Sequence, residues 1–459
     1  MNVKKFGGSS LADADKIRQT VEIIRQSATS PLCVVLSAMK GVTNLLVEAA
    51  ICAEKGDQKY KENIETIREK HLSCLDDLFA DKKSAELQDT IEKLLLDLSE
   101  ILHGVELVRE CSLKSMDLIM SFGERLNCMQ VAEYLNFIDI PAQFIDSRDI
   151  IKTDSTHGKG NVNFERTYRE VKSKLHDADR VIPIICGFIA SDESGRTTTL
   201  GRNGSDYTAS IIGAALDADK VEIWTDVDGV LTADPRIVPA AFVIPQLSIQ
   251  EAMELSFFGA EVIHPYTLVP TTDKNIPVYI KNTLNPSAEG TVITKDYTKK
   301  KRIITGIASI DDLSLINIEG GGMMGMPGIA SRIFSSLAEA DVNIIMITQA
   351  SSEHSISILC RSEETAAAVN KLNENLEEVI KRRKIQKIDV VDNLVIIAVI
   401  GENMIGQIGL TGELFSAVGE EKINILAIAQ GSSERNISFV IRQKDKNKAL
   451  NAVHKKFIG

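Results

Sequence analysis

Lys5 stands just ahead of Gly7, Gly8, Ser9 and Ser10 in the opening stretch MNVKKFGGSS. A glycine pair after a strand lets backbone N–H groups approach a phosphate, with a lysine at hand for its charge. A strand that merely has to turn ends in the same way. Four other stretches carry comparable residue types. SAMKGVTNLL supplies Ser37 and Thr43 at the start of a helical pattern, where Thr43 also suits a helix cap. SFGERLN supplies Glu124 and Arg125, a pairing that is also common on helix surfaces. TTTLGRNGSDYTAS sets Arg202, Asn203, Gly204, Ser205 and Asp206 before an apolar helix, whose N-terminus favours an anion. An Asn-Gly turn capped by Asp206 would explain Asn203 and Asp206 but not Arg202. WTDVDGVLTADPR supplies Thr225, Asp226, Asp228, Gly229, Asp234 and Arg236. It is no EF-hand, because taking Gly229 as position 6 puts Trp224 at position 1 and Pro235 at position 12. A turn between strands is the plain alternative.

Together these stretches hold a lysine, an arginine, glycine amides and several carboxylates, the inventory of phosphoryl transfer. The chain has no G-x-x-x-x-G-K-[ST] and no G-x-G-x-x-G after a strand, which excludes a P-loop NTPase and an evident Rossmann oxidoreductase.

The elements that must position these residues read as an α/β domain. LCVVLSA (32–38), PAQFID (141–146), VIPIICGF (181–188), KVEIWTDV (220–227) and IPVYIKN (276–282) are apolar and rich in β-branched residues, as buried strands are. Helical periods lie between them at 11–26, 43–55, 162–176 and 206–216, which predicts a largely parallel sheet. Residues 58–111, dense in Lys, Glu, Asp and Leu, read as a helical insertion, a solvated pair without chemistry. The basic run TKDYTKKKR (294–302) reads as a linker.

The chain has 459 residues, enough for several domains, and a net charge of −12, which gives nucleic acid or anionic lipid no general attraction. Seven scattered cysteines without a C-x-x-C pair fit a reducing cytosol and no zinc site. The longest apolar stretch is too short for a membrane span, and the start of the chain reads as strand rather than leader, so a cytoplasmic location is expected.

The last third repeats itself. VNIIMITQASSEHSISILC (342–360) matches INILAIAQGSSERNISFVI (423–441) at an offset of 430 − 349 = 81, between Gln349 and Gln430. Gly325 and Gly406, Gly328 and Gly409, and Phe334 and Phe415 keep that offset, which marks duplication of a small βαββαβ unit.

The ordered set KFGGSS, SAMKGVTNLL, FGERL, LGRNGSDYTAS, WTDVDGVLTADPR, ELSFFGAEVIHP, IKNTLNPSAEGT and the doubled ITQASSE/IAQGSSE resembles the aspartokinases, nearest the kinase half of bifunctional aspartokinase–homoserine dehydrogenases. The resemblance implies an amino-acid kinase fold over 1–296, with the insertion near 58–111, followed by two ACT domains at 303–385 and 386–459. The chain ends where a dehydrogenase half would begin, so that second activity is not expected. The resemblance implies ATP with magnesium carried by its phosphates, and L-aspartate as acceptor. Lys5 and Asp206 would be catalytic, with Lys5, Gly7, Gly8, Ser9, Thr225, Asp226, Leu231 and Arg236 on the nucleotide. Ser37, Thr43, Glu124 and Arg202 would hold aspartate. Gln349, Gln430, Asn343, Asn424 and Ile329 would hold a feedback amino acid, threonine by preference and lysine as the alternative. Lysine-sensitive relatives tend to carry Asp where this chain has Ile345. Pairing through the ACT units would give a homodimer or a dimer of dimers. Glu261 replaces a lysine common in FGAK, which removes one nucleotide contact, and His264 reads as structural. Two rival readings, another amino-acid kinase and a catalytically dead amino-acid sensor, are disfavoured by the insertion with FGERL and by the intact Lys5, Glu124, Arg202 and Asp206.

Overall fold

The computed structural model describes all residues except 29, 81–84, 179, 260–264, 296–301, 324–326 and 350–353, and the side chain of Pro265. The readings of Glu261, His264, most of the basic run, Gly325 and the first Ser-Ser-Glu therefore lie outside the described residues. The chain forms two units, one from 1–230, 243–252 and 261–297, the other from 231–242, 253–260 and 298–459.

The first unit is built on strands β1 (Asn2–Phe6), β2 (Leu32–Leu36), β3 (Ala142–Ile145), β4 (Ile182–Cys186), β5 (Ile189–Ser191), β6 (Thr197–Thr199), β7 (Lys220–Thr225), β8 (Gln246–Ser248), β9 (Val278–Asn282) and β10 (Thr291–Thr294). Eight of them form one sheet in the order β3-β4-β2-β1-β7-β9-β10-β8, and β5 and β6 form a separate hairpin. Every pair in the large sheet is parallel except β9 with β10. The five strands read from the sequence are all in it. Helices α1 (Ala14–Ser27), α2 (Val42–Lys55), α3 (Lys59–Phe79), α4 (Ala85–Val108), α5 (Leu113–Phe137), α6 (Ser147–Ile150), α7 (Phe164–Lys174) and α8 (Gly204–Ala215) make the crossovers and the insertion.

The insertion differs from the expected solvated pair. Tyr60, Ile64, Ile67, Leu95, Leu98 and Leu102 from α3 and α4 are buried in the same apolar cluster as Phe6, Leu36, Leu46 and Leu126. Removing that surface from water is worth about 25 cal/mol per Å², so these helices stabilise the first unit.

The second unit holds a six-stranded antiparallel sheet of β11 (Gly306–Glu319), β12 (Met346–Gln349), β13 (Ser355–Arg361), β14 (Lys387–Ile400), β15 (Ala427–Gln430) and β16 (Asn436–Arg442), ordered β12-β13-β11-β14-β16-β15. The two long strands are shared between the copies. Residues 313–319 of β11 pair with β13 and with residues 387–394 of β14, whereas 306–310 pair with 396–400. A cut at 385/386 therefore does not separate the copies. Ile316, Ile358 and Ile385 pack in one core, while Ile304 and Ile307 pack with Val395, Phe439 and Val453 in the other. Ala233 and Val238 join that second core, and Thr232 Oγ1 lies 3.0 Å from His454 Nε2, so 231–242 pack within the second unit although they fall inside the 1–296 span read from the sequence. Among the described residues no helix is long and apolar enough to cross a membrane.

Candidate active site

The pocket lies beyond the carboxyl ends of four neighbouring parallel strands, β4, β2, β1 and β7, where open α/β sheets bind ligands. Its volume is about 530 Å³. After β1 the chain turns at Gly7, whose N–H donates to the Trp224 carbonyl at 3.2 Å. A Cβ on Gly8 would lie 3.0 Å from the Ala38 carbonyl, so the glycine there is needed for two strand-end loops to touch.

Lys5 is buried on the floor, with Nζ 2.5 Å from Asp206 Oδ1 in the first turn of α8. The helix begins at Gly204 after Asn203, held in the left-handed region at φ 56°, so Asp206 and the N-terminal amides face the same space. Breaking such a buried pair from one side leaves a naked charge, and it survives because both partners have somewhere to act.

Glu124 comes from the middle of α5 and is 3 % exposed. Its Oε1 accepts from the Ala38 N–H at 3.1 Å, while Oε2 has no hydrogen-bond partner among the described residues. Burial pushes its carboxyl up to about 8. Asn127, one helical turn on, donates to the Ser37 carbonyl at 2.7 Å and so ties the 37–44 loop to α5. Glu124 lines the cavity. Arg202 reaches the same cavity and makes no salt bridge within the described residues.

Lys5, Gly7, Gly8, Ser9, Ser37, Thr43, Glu124, Arg202, Asp206 and Thr225 all line this one pocket, which unites the loops read from sequence. Asp226 is not among its lining residues; Thr225 Oγ1 lies 3.2 Å from its carboxylate. Leu231 and Arg236 belong to the second unit, where Arg236 makes a two-point hydrogen bond to Asp234. Arg125, beside Glu124, stacks over the Phe122 ring and does not line the pocket.

Phe188 and Lys40 are lining residues that the sequence reading missed. Phe188 sits at φ 69°, a strained value for an aromatic residue, with its N–H on Thr208 Oγ1 at 3.0 Å. The signal for it was the Gly187 that ends an apolar strand as Gly7 ends β1: a Cβ on Gly187 would lie 2.5 Å from Ser205 Oγ. No group of three or more potential metal ligands stands together among the described residues.

In the second unit Gln349 and Gln430 end β12 and β15 in the same register, paired with Ile356 and Ile437, and both are exposed. Asn343 and Asn424 are exposed ahead of those strands, and Ile329 opens a helix behind left-handed Gly328, as Leu410 does behind Gly409. Ile345 is half-buried, its N–H on the Leu359 carbonyl.

Residues 1–282 match the Amino acid kinase family, and 316–376 and 397–457 each match an ACT domain. The chain is 36 % identical over 462 residues to the bifunctional aspartokinase/homoserine dehydrogenase 2 of Arabidopsis thaliana, covering 99 % of this chain and 50 % of the relative. It thus spans about half the length of such bifunctional relatives. It is 33 % identical to the chloroplastic aspartokinase 1 of Arabidopsis thaliana, covering 99 % and 80 %. The structure superposes on Escherichia coli aspartokinase III in complex with aspartate and ADP (R-state) with a TM-score of 0.84 at 30 % identity, covering all of both chains. The lysine and aspartate complex of that enzyme (T-state) gives 0.81 at the same identity and coverage.

Proposed function

Because the chain belongs to the amino acid kinase family, in its aspartokinase group with ACT domains behind the kinase fold, we propose that it transfers the γ-phosphoryl group of ATP to the β-carboxylate of L-aspartate. The products are 4-phospho-L-aspartate and ADP, the entry to the aspartate-derived amino acids lysine, threonine and methionine. The observation that carries this reading is one cavity with a buried half-satisfied carboxyl, a guanidinium that makes no salt bridge among the described residues, and a buried lysine. Glu124 receives the α-ammonium and Arg202 the α-carboxylate, an arrangement that fixes an amino acid at both charged ends. Ser37 and Thr43 offer hydroxyls to the same molecule.

The β-carboxylate is ionised at neutral pH and needs no general base. One of its oxygens forms the new O–P bond as the bond from the γ-phosphorus to the bridging oxygen of ADP breaks. Lys5, oriented by Asp206, faces the charge that moves between them, and the amides of Gly7, Gly8 and Ser9 cradle the phosphates. Asp226, Leu231 and Arg236 remain part of the proposed nucleotide contacts by resemblance alone. Magnesium, for which the described residues build no cluster of ligands, would travel on the nucleotide phosphates and neutralise their charge.

The exposed, equivalent Gln349 and Gln430, with Asn343, Asn424 and Ile329, support an effector site for threonine in the ACT pair, because an amide both donates to and accepts from a small polar amino acid. Pairing of two chains through these units, and a cytoplasmic setting suggested by seven free cysteines, complete the proposal. Formation of aspartyl hydroxamate from ATP, aspartate and hydroxylamine tests the activity, and titration of threonine and lysine against it tests the effector.

A further inference from the structure

Among the described residues Arg202 has no side-chain partner to orient it in the pocket, so the backbone that carries it bears on its position. That backbone leads to Asp117. Asp117 lies on α5 seven residues before Glu124, two turns along one helical face, and is completely buried. Its Oδ1 accepts from Thr199 Oγ1 at 2.6 Å and from the Gly158 N–H at 3.1 Å, and Oδ2 lies 3.0 Å from the same N–H. His157 Nδ1 lies 2.9 Å from Oδ2, and a carboxylate there makes Nδ1 the donor. Thr199 is three residues ahead of Arg202 and is gripped a second time, its carbonyl accepting from the Gly160 N–H at 2.8 Å. Between them Gly201 takes a left-handed φ of +75° beside the 158–159 loop, a backbone conformation that favours glycine.

We infer that Asp117, with His157 and Thr199, is a positioning cluster that fixes the Arg202 loop to the helix carrying Glu124, and so sets the spacing of the two groups that read the acceptor's charged ends. The inference rests on the proposed assignment of the pocket to an amino-acid acceptor. A guanidinium held in place before binding loses less freedom when the carboxylate arrives, so the cluster acts on acceptor affinity and leaves the nucleotide loops untouched.

The test is steady-state kinetics of the full chain with both substrates varied, for Asp117→Asn, Thr199→Val and the pair His157→Asn and His157→Leu. Asp117→Asn should raise KM for aspartate roughly tenfold, about the loss of one charge-assisted hydrogen bond, with KM for ATP within about twofold of the parent. Thr199→Val should move the same constant in the same direction. His157→Asn, which restores a donor near the Nδ1 position, should stay near the parent where His157→Leu does not. Equal rises in both KM values, or an unchanged KM for aspartate in a folded variant, would overturn the cluster's role. If Asp117→Asn does not fold, the milder Thr199→Val decides by the same criterion. A parent chain with no aspartate turnover would instead overturn the assignment of the pocket, and the cluster's role with it.

Discussion

Glu124 gives the account its most quantitative consequence. Burial raises its carboxyl from an ordinary 4.5 to about 8, while Oε1 accepts from the Ala38 N–H and Oε2 has no hydrogen-bond partner among the described residues. At pH 7 the empty pocket therefore holds a protonated Glu124, by about ten to one, and a bound ammonium requires the ionised form. Ionising it costs on the order of 1 kcal/mol at pH 7, so aspartate should bind roughly tenfold more weakly there than on a plateau above pH 8. Binding at pH 7 should release close to one proton per site. Calorimetric titration of aspartate in buffers of different ionisation enthalpy measures that proton directly, and kcat/KM for aspartate should rise with pH through the same window. The same group bears on stability. Between pH 4.5 and about 8 the folded chain keeps a proton that the unfolded chain has lost, so stability falls as pH rises through that window. Glu124→Gln removes the penalty, and in denaturant titration at pH 8 it should exceed the parent by roughly 4 kcal/mol while losing aspartate binding. No proton release, a flat profile and an unstabilised variant would together refute the reasoning.

Lys5→Ala should lower kcat by roughly 10²–10³ with circular dichroism unchanged, since it removes a preorganised cation from the moving phosphoryl group; near-normal turnover would remove it from the chemistry. Trp224 is the sole tryptophan and its carbonyl holds the Gly7 N–H, so nucleotide alone should shift its emission, and a silent titration would place the nucleotide elsewhere. Gln349→Ala or Gln430→Ala should relieve a threonine inhibition worth about 1–3 kcal/mol of coupling while sparing uninhibited turnover. Inhibition by lysine alone would reverse the choice of effector. Light scattering at micromolar concentration should give a dimer or tetramer, and a monomer would remove the pairing proposal.

The pocket was legible because its residues stand in short motifs at the ends of apolar strands, and parallel topology brings such ends together. Lys5 and the 202–206 loop follow that rule, whereas Glu124 sits in the middle of α5 and stands out through the FGERL motif of the resemblance. Asp117 was not legible: one acid in a helical pattern looks like solvated surface, and only the packing of the 157–160 loop buries it. Phe188 was hidden in an apolar run, though the glycine before it was a usable sign. The shared strands escaped for a different reason. Repeat spacing records the duplication, but the exchange of β11 and β14 between copies is a matter of pairing, which the alternation of side chains in GIASIDDLSLINIE does not encode. Helices α3 and α4 were read as solvated because their charged faces dominate composition, while the leucine stripe that enters the core occupies fewer positions.

The central claim, phosphorylation of an aspartate carboxylate in this pocket, is tested most directly by trapping the acyl phosphate. The purified chain with ATP, magnesium, L-aspartate and hydroxylamine should form aspartyl hydroxamate in step with ADP, and Arg202→Ala should suppress it through KM for aspartate. Hydroxamate formed with glutamate or N-acetylglutamate and not with aspartate, or ADP formed with UMP or without any acceptor and not in response to aspartate, would contradict it.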